Sequence, residues 1–459
     1  MHAKVQILIP ETFGNLAGAF GCAPSFLQGK TAVHFLSYTA CVPTMFNHLF
    51  PFVNSRYNFV RWAAFAWGLL AFWPVGVNHL ALLVLLMAVV FQRDVRVRWG
   101  RLRNGLMATA LLCFGLWAVL TLAVQDTWYS RSPSNLWHMI RIGLTLGLAA
   151  SLSEDEAQSA FWGFLIGTAG VLVLILGYRA GVYAAHPAWE HLTVPGTNKT
   201  IGASILLSMA FGLFMARAAY NKDQWRWLFV VAAITVLALI LQTLSKRTAM
   251  VGAWIAMVAV FLHLWRERMG RWLLVLLLAL GAAWVVWLNS PGLQAAFVQG
   301  IREIRDALNG EVKVESWNVR IQMIKHTWDM VLERPWLGWG IGSWNHQWAA
   351  RVPQEIAEFN MPHNDLLWSG AQGGVLGGLA WLFLMLSGMG VAWRSRGWAG
   401  AAALAAILIS TFSSLVNNGT RDATIGLPML WIMGVLISFA RADRLHTEVA
   451  HHHSVEHTS

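Results

Sequence analysis

Charged side chains are scarce in this chain. They make up 12% of its 459 residues, whereas an ordinary soluble domain carries about 25%. Cysteine is also rare, and none of the three cysteines lies between residues 289 and 366, where the longest polar segment is found. The low charge excludes an ordinary soluble domain, and the cysteine positions exclude a disulfide framework within the polar segment.

Hydrophobic residues fill 57% of the chain, and the mean hydropathy is +0.51. Apolar runs close to the ~20 residues that cross a bilayer recur almost from end to end. The burial needs of a soluble core do not explain so many runs. We therefore predict an all-α integral membrane protein with about twelve transmembrane helices, at 58–75, 77–92, 104–124, 136–151, 159–178, 200–219, 225–243, 246–265, 271–289, 366–393, 398–416 and 425–441.

The net charge of +11 would suggest nucleic acid in a soluble protein. Here the arginines crowd alternate short connections, such as 93–103 and 266–271, as they do in cytoplasmic loops. We therefore predict no nucleic-acid partner, a cytoplasmic C-terminus and a long periplasmic loop. The predicted regions are an N-terminal extension of open topology (1–57), spans one to nine (58–289), the loop (290–365), the last three spans (366–441) and a cytoplasmic tail (442–459).

Several cations remain on the outward side, against this bias. Lys199, Arg247 and Arg421 lie at or just before the starts of outward-facing helices, where a cation is unfavourable for the helix alone. An anion between such helix starts would reverse the sign, which predicts a phosphate or diphosphate ligand. The alternative is that these side chains snorkel to lipid phosphates. The outward cations are Lys199, Lys246, Arg247, Arg320, Lys325, Arg334 and Arg421.

The loop contains two readable patterns. Apolar residues at helical spacing from Val314 to Glu333 predict an amphipathic helix along the membrane, stopped by Pro335 and carrying Arg320 near its polar face. The glycine-rich run 336–343 lacks the Lys-Ser/Thr of a nucleotide loop, so we predict close backbone packing there instead. Arg320 could also be no more than a solvated charge.

The loop ends in Pro362-His363-Asn364-Asp365, where a helix starts polar and continues apolar. A histidine in such a first turn, near cations, has its pKa lowered and stays neutral at pH 7. A neutral imidazole can accept a proton, so His363 is a candidate general base. The alternative is a structural histidine at a span end.

Four segments together resemble a known superfamily. They are Thr243–Arg247, Trp317–Arg320, Arg334–Gly340 and Pro362–Leu367. This set is similar to the motifs of the O-antigen ligase and O-antigen polymerase superfamily, although Leu244 and an inserted Lys246 depart from its first element. The resemblance covers about 190–380 by motif and 58–441 by topology.

The resemblance implies a donor glycan on undecaprenyl (polyprenyl) diphosphate and, for the ligase branch, the lipid A core as acceptor in lipopolysaccharide biosynthesis. It implies that His363 is catalytic and that Arg247 and Arg320 bind the diphosphate; Lys199 joins them on the charge argument. Supporting roles are expected for Asn198, Lys246, Asn318, Asn364 and Asp365.

We therefore expect an inverting glycosyltransferase of the cell inner membrane, in contact with membrane lipids and with its active site on the periplasmic side. No Asp-x-Asp pair occurs in an outward loop, so we expect neither a metal nor a cofactor. An O-antigen polymerase and a protein O-oligosaccharyltransferase stay open as alternatives. A glycan flippase fits less well, because apart from His138 and Arg141 the spans contain almost no ionisable groups in their middles.

Overall fold

A computed structural model gives the architecture of the unit Phe59–Ser459, and the N-terminal extension 1–57 lies outside the described residues. The described part is helical and contains no strand. The described residues are 58–92, 95–103, 105–184, 186–187, 189–193, 200–241, 247–268 and 270–456.

Eighteen helices run through these described ranges. They are α1 (Phe59–Leu70), α2 (Val75–Phe91), α3 (Val95–Arg103), α4 (Leu106–Val124), α5 (Ser132–Ala150), α6 (Glu154–Arg179), α7 (Glu190–Thr193), α8 (Thr200–Tyr220), α9 (Arg226–Leu239), α10 (Arg247–Leu264), α11 (Gly270–Leu288), α12 (Pro291–Leu308), α13 (Ser316–Glu333), α14 (Ser343–Ala349), α15 (Gln354–Ala357), α16 (Asp365–Arg394), α17 (Trp398–Asn417) and α18 (Ala423–Glu456).

The all-helical prediction is confirmed, and each of the twelve predicted spans coincides with one of these helices. Among the described helices, six are long and apolar enough to cross a membrane: α4, α6, α8, α16, α17 and the part of α18 up to Leu445. The bent pair of α2 and α3 could form a seventh, while α1, α9 and α10 are apolar but shorter. Twelve spans and the side on which the loop lies therefore stay predictions.

The start of α6 differs from its predicted position for a local reason. The Ser153 hydroxyl accepts from the Glu156 backbone N–H at 3.3 Å, and the Glu156 carboxylate accepts from the Ser153 N–H at 2.8 Å. This reciprocal capping box stabilises a helix start five residues before the predicted 159. Apolar composition alone does not register such a polar first turn.

The centre of the bundle is formed by α8, α17 and α18. The apolar stretch of α18 is 89% buried within the protein, against 39% for α4, which lies at the periphery. Within the core the buried rings of Trp67 and Trp431 stack with their centroids 4.3 Å apart. Offset aromatic packing of this kind adds to the burial of apolar surface.

The predicted loop is largely helical. The amphipathic helix expected over 314–333 is present as α13, and a second amphipathic helix, α12, precedes it without having been predicted. The two are joined where the Glu303 carboxylate accepts from the Trp317 backbone N–H at 2.8 Å. The loop is thus a helical layer that packs on α16.

Helix α16 is broken in its first half, at Gly373 and Gly374, where Gly374 has φ +66°. The glycine-rich run of the loop fills this break: the N–H groups of Trp339 and Gly340 donate to the carbonyls of Ala371 and Gln372, both at 2.9 Å. A Cβ on Gly338 would lie 2.4 Å from the Gln372 carbonyl carbon. The predicted close backbone packing is therefore observed, and it supplies partners to a helix whose own ladder is interrupted.

The connections between helices gather at two ends of the bundle. We call them the loop end, where residues 290–365 lie, and the tail end, where the apolar stretch of α18 ends. At the tail end, Arg98 pairs with Glu156 at 2.8 Å and Arg441 donates to the Leu152 carbonyl at 2.8 Å. At the loop end, the Ser132 hydroxyl donates to the Ile341 carbonyl, and Thr420 donates to Asp365. Connections predicted to share a side of the membrane therefore do contact one another.

Candidate functional site

His363 lies in the turn between α15 and α16 with φ +52°. A non-glycine residue in this left-handed region costs roughly 1–2 kcal/mol, and such strain persists where the surroundings hold it in place. The side chain is largely buried, and its Nδ1 has no hydrogen-bond partner among the described residues. A strained, largely buried imidazole with an unused nitrogen is unusual for a purely structural histidine.

Two arginines approach His363 from different parts of the chain. Burial, together with the positive charges of Arg320 and Arg421, lowers the pKa of His363 to about 4, opposed by Asp422. The imidazole is therefore neutral at pH 7, as the sequence predicts, with burial as the larger cause. The nearby cations stand on α13 and on the connection between α17 and α18.

Arg421 belongs to a turn, residues 418–422, that is tied down from several sides. One Asp365 carboxylate oxygen accepts from the Thr420 N–H at 2.8 Å and from the Thr420 hydroxyl at 2.5 Å. Trp381 Nε1 donates to the same hydroxyl at 3.3 Å. The buried Arg141 donates to the backbone carbonyls of Thr420 and Arg421. The first residue of α16, next but one to His363, thus positions the turn that carries Arg421.

The Arg421 side chain is itself 93% removed from solvent. Its Nη2 donates to the Asn135 side-chain oxygen at 3.3 Å, and its guanidinium lies 5.3 Å from the Trp368 ring centroid. Burial lowers its pKa to about 10, opposed by Asp365 and Asp422, so the group remains charged at neutral pH. Its Nε has no hydrogen-bond partner within the described part of the chain.

Arg320 connects three elements at the loop end. Its Nη2 donates to the Asn417 side-chain oxygen at 3.4 Å, and the Asn417 amide donates to the Thr248 hydroxyl at 2.9 Å. Thr248 follows Arg247, the first residue of α10. The backbone start of α10 is thereby joined to the neighbourhood of Arg320, as expected if Arg247 and Arg320 serve one ligand.

The other predicted donor-binding residues are not all described. Asn198, Lys199 and Lys246 lie outside the described residues, and for Arg247 only the backbone is described. These residues stay predictions of the sequence. Helices α8 and α10 begin directly after the gaps that contain them.

The three remaining supporting residues make hydrogen bonds within the protein. Asn318 accepts from the Lys313 N–H at 3.1 Å and donates to the Glu311 carbonyl at 2.9 Å, which closes the turn before α13. Asn364 caps α16 by accepting from the Leu367 N–H at 3.0 Å. Asp365 holds the 418–422 turn. Their observed contacts shape the site, and direct contact of these side chains with a ligand stays a prediction.

Sequence reasoning named Arg421 as an outward cation but not as a site residue, and it missed Asn417 and Thr420 altogether. A signal was available, because 417–422 reads Asn-Asn-Gly-Thr-Arg-Asp between two apolar spans. Within the described residues, no group of three or more His, Cys, Asp or Glu side chains could hold a metal ion. Metal independence stays a prediction.

Residues 238–382 match a protein-family model described as O-antigen ligase. The matched segment contains Arg247, Arg320 and His363, while Lys199 and Arg421 fall outside it. No curated protein matches the chain. The match confirms the resemblance inferred from the motifs: over this segment the chain is similar to the O-antigen ligase family.

Proposed function

We propose that this protein transfers a glycan from an undecaprenyl diphosphate carrier to a hydroxyl of the lipid A core, at the outward membrane face. The family supports a ligase or polymerase of the O-antigen superfamily, with a membrane glycosyltransferase activity. The observation that carries the finer proposal is His363 itself: a largely buried imidazole at φ +52° with an unused Nδ1, whose pKa is lowered by burial and by the charges of Arg320 and Arg421.

The proposed reaction is a direct displacement. The acceptor hydroxyl attacks the anomeric carbon of the donor sugar, its proton passes to the neutral His363, and the bond from that carbon to the diphosphate oxygen breaks. One bond forms on the face opposite the departing group, so the anomeric configuration inverts. A positioned base of this kind contributes typically about 10²–10⁴-fold to a rate.

Negative charge develops on the departing diphosphate, and fixed cations stabilise it most when they are already in place. Arg320 and Arg421 are held by side-chain amides and by an aromatic ring. In the proposal they bind the diphosphate together with Arg247 and Lys199. Because the cations are positioned by protein contacts before the donor arrives, little reorganisation is needed during the reaction.

The O-antigen polymerase and the protein O-oligosaccharyltransferase differ from this proposal only in the acceptor. A flippase requires charged groups along a path through the bundle. Arg141 is a fully buried ionisable residue in the middle of a predicted span, and it donates to the backbone carbonyls of the 418–422 turn. This use of Arg141 favours transfer over transport.

The decisive experiment supplies purified protein with lipid-linked glycan, with and without lipid A core. We expect a glycosylated core only when both substrates are present. Elongated lipid-linked glycan without core would instead indicate a polymerase, and movement of donor between leaflets without a new product would indicate a flippase.

A further inference from the structure

A cleft of ≈ 370 Å³ opens at the tail end of the bundle, away from His363. Arg103, Arg394 and Arg444 line it, together with the start of α4 at Gly105 and Leu106. Helix α4 begins here, α16 ends at Arg394, and the apolar stretch of α18 ends just after Arg444. Three candidate spans therefore end around one cleft, at the level where an apolar layer meets water.

Other arginines at the tail end bond to acceptors of the protein. Arg98 pairs with the Glu156 carboxylate, Arg101 donates to the Ser151 carbonyl at 3.0 Å, and Arg441 donates to the Ala150 and Leu152 carbonyls. Among the described residues that line the cleft there is no acidic side chain. The orientation bias accounts for many arginines on one side, but not for three that converge on one cavity without a carboxylate.

The start of α4 adds to the positive potential of the cleft. Its N-cap is Gly105, which offers no side-chain acceptor to the first N–H groups of the helix. Such N–H groups and the helix dipole favour an anion. The three arginines and this helix start point to the same sign of ligand.

The walls of the cleft are held in fixed positions. Asp443, next to Arg444, accepts from the backbone N–H groups of Arg396 and Gly397 at 3.1 and 2.8 Å, which ties α18 to the turn after α16. The Ser387 hydroxyl lies 3.1 Å from Met107 Sδ, where α16 packs on α4. The arginines therefore project from anchored helix ends.

We propose that this cleft binds a phosphate-bearing anion, and that the anion is the headgroup of an anionic phospholipid in the leaflet at the tail end. Leu106 and Val391 form an apolar side beside the arginines. A headgroup that continues into acyl chains can use both the cations and this apolar side, whereas inorganic phosphate can use only the cations.

The test compares full-length wild type with the triple variant Arg103→Gln, Arg394→Gln and Arg444→Gln. Phosphatidylglycerol and phosphatidylcholine are offered to purified protein, and retained lipid is counted by native mass spectrometry. We expect one preferred phosphatidylglycerol in the wild type. The triple variant should bind it on the order of 100-fold more weakly, since each arginine near an anionic surface contributes roughly fivefold.

The matched control removes the same charge at exposed tail-end positions outside the cleft: Arg96→Gln, Arg268→Gln and Arg396→Gln. It should retain the lipid to within about threefold, since these arginines do not converge on one site. The triple variant Arg103→Lys, Arg394→Lys and Arg444→Lys keeps the charge and should retain lipid binding. It therefore distinguishes a loss of binding caused by lost charge from one caused by misfolding. Equal losses in the cleft and control triples would overturn the site. Displacement of the lipid by millimolar inorganic phosphate would keep the anion site but overturn the lipid source.

Discussion

The two ends of the bundle use similar basic side chains for different purposes. At the tail end, Arg98, Arg101 and Arg441 bond to a carboxylate or to carbonyls at helix ends, and so join helices to one another. At the loop end, Arg320 and Arg421 bond to side-chain amides and lie near a neutral histidine. Among the tail-end arginines, Arg98 has a carboxylate partner, Glu156, that offsets its charge, whereas the neutral amides bonded to Arg320 and Arg421 do not offset theirs. Under the proposed function, the tail-end arginines build the fold, and Arg320 and Arg421 bind the donor.

The largest expected effect is at His363. We expect His363→Ala to lower glycan transfer by about 10²–10⁴-fold, because the proposed proton acceptor is lost. Protein yield and donor-lipid binding should persist. Single-turnover transfer with purified protein measures the change.

The exposed His346 of the same loop provides the control. His346→Ala should leave transfer within about twofold, as is usual for surface substitutions away from a site. If His363→Ala transferred glycan at the wild-type rate, His363 would be a structural residue. The proposal that catalysis takes place at the loop end would then be wrong.

The arginines at the loop end come next. We expect Arg320→Gln and Arg421→Gln each to lower transfer by about 10²–10³-fold, the usual cost of removing one preorganised donor to a developing negative charge. The exposed Arg302 of the same loop serves as control, and Arg302→Gln should be nearly silent. Rates measured at saturating donor distinguish lost catalysis from weaker donor binding. Equal effects of all three substitutions would indicate a general loss of positive charge, not a site.

At the tail end, an arginine-to-glutamine substitution should reduce the stability of the protein and leave glycan transfer unchanged. Arg98 and Glu156 are each 4% exposed, and breaking a buried pair by removing one partner costs about 3–5 kcal/mol. We expect Arg98→Gln to lower the melting temperature in detergent, while the folded fraction transfers glycan normally. Arg96→Gln, on the exposed side of the same helix, should not change the melting temperature. If Arg98→Gln lost glycan transfer without a lower melting temperature, the proposed difference in role between the two ends would be wrong.

The smallest effect concerns pH. The pKa of His363 is lowered to about 4, so its neutral form persists above that pH, and transfer should change little between pH 5 and 8 on its account. Arg421→Gln removes one of the lowering charges and should move the acid limb of the rate profile to higher pH. Since burial is the larger cause, the move should be partial. Arg98→Gln should leave the limb in place, and an identical shift in both variants would contradict the proposed proximity.

Local patterns predicted the helices well because hydropathy and periodicity are properties of short windows. The positions of the twelve apolar helices and of the amphipathic α13 were predicted in this way, and the neutral His363 was predicted from its place at a helix start near cations. Helix α12 was not predicted, because its amphipathic pattern lies within the segment that was predicted to be a polar loop.

Contacts between distant parts of the chain were not readable. Asp365 and Thr420 are 55 positions apart, and neither segment alone predicts that the Asp365 carboxylate accepts a hydrogen bond from the Thr420 backbone N–H. The break in α16 was missed for the same reason, since the run Gly370 to Gly378 reads as a helix rich in small residues until its partner in the loop is known. Buried polar networks of this kind depend on tertiary packing.

The docking of the glycine-rich run into the break of α16 has a consequence for protein engineering. The Val375 N–H donates to the Pro335 carbonyl at 2.6 Å, so backbone bonds cross between the loop and the helix on both sides of the break. A loop exchanged with that of a relative would leave these groups without partners unless the matching part of α16 came with it. Functional chimeras should therefore have their junctions before Pro335 and after Val375, so that loop and helix are inherited as one piece.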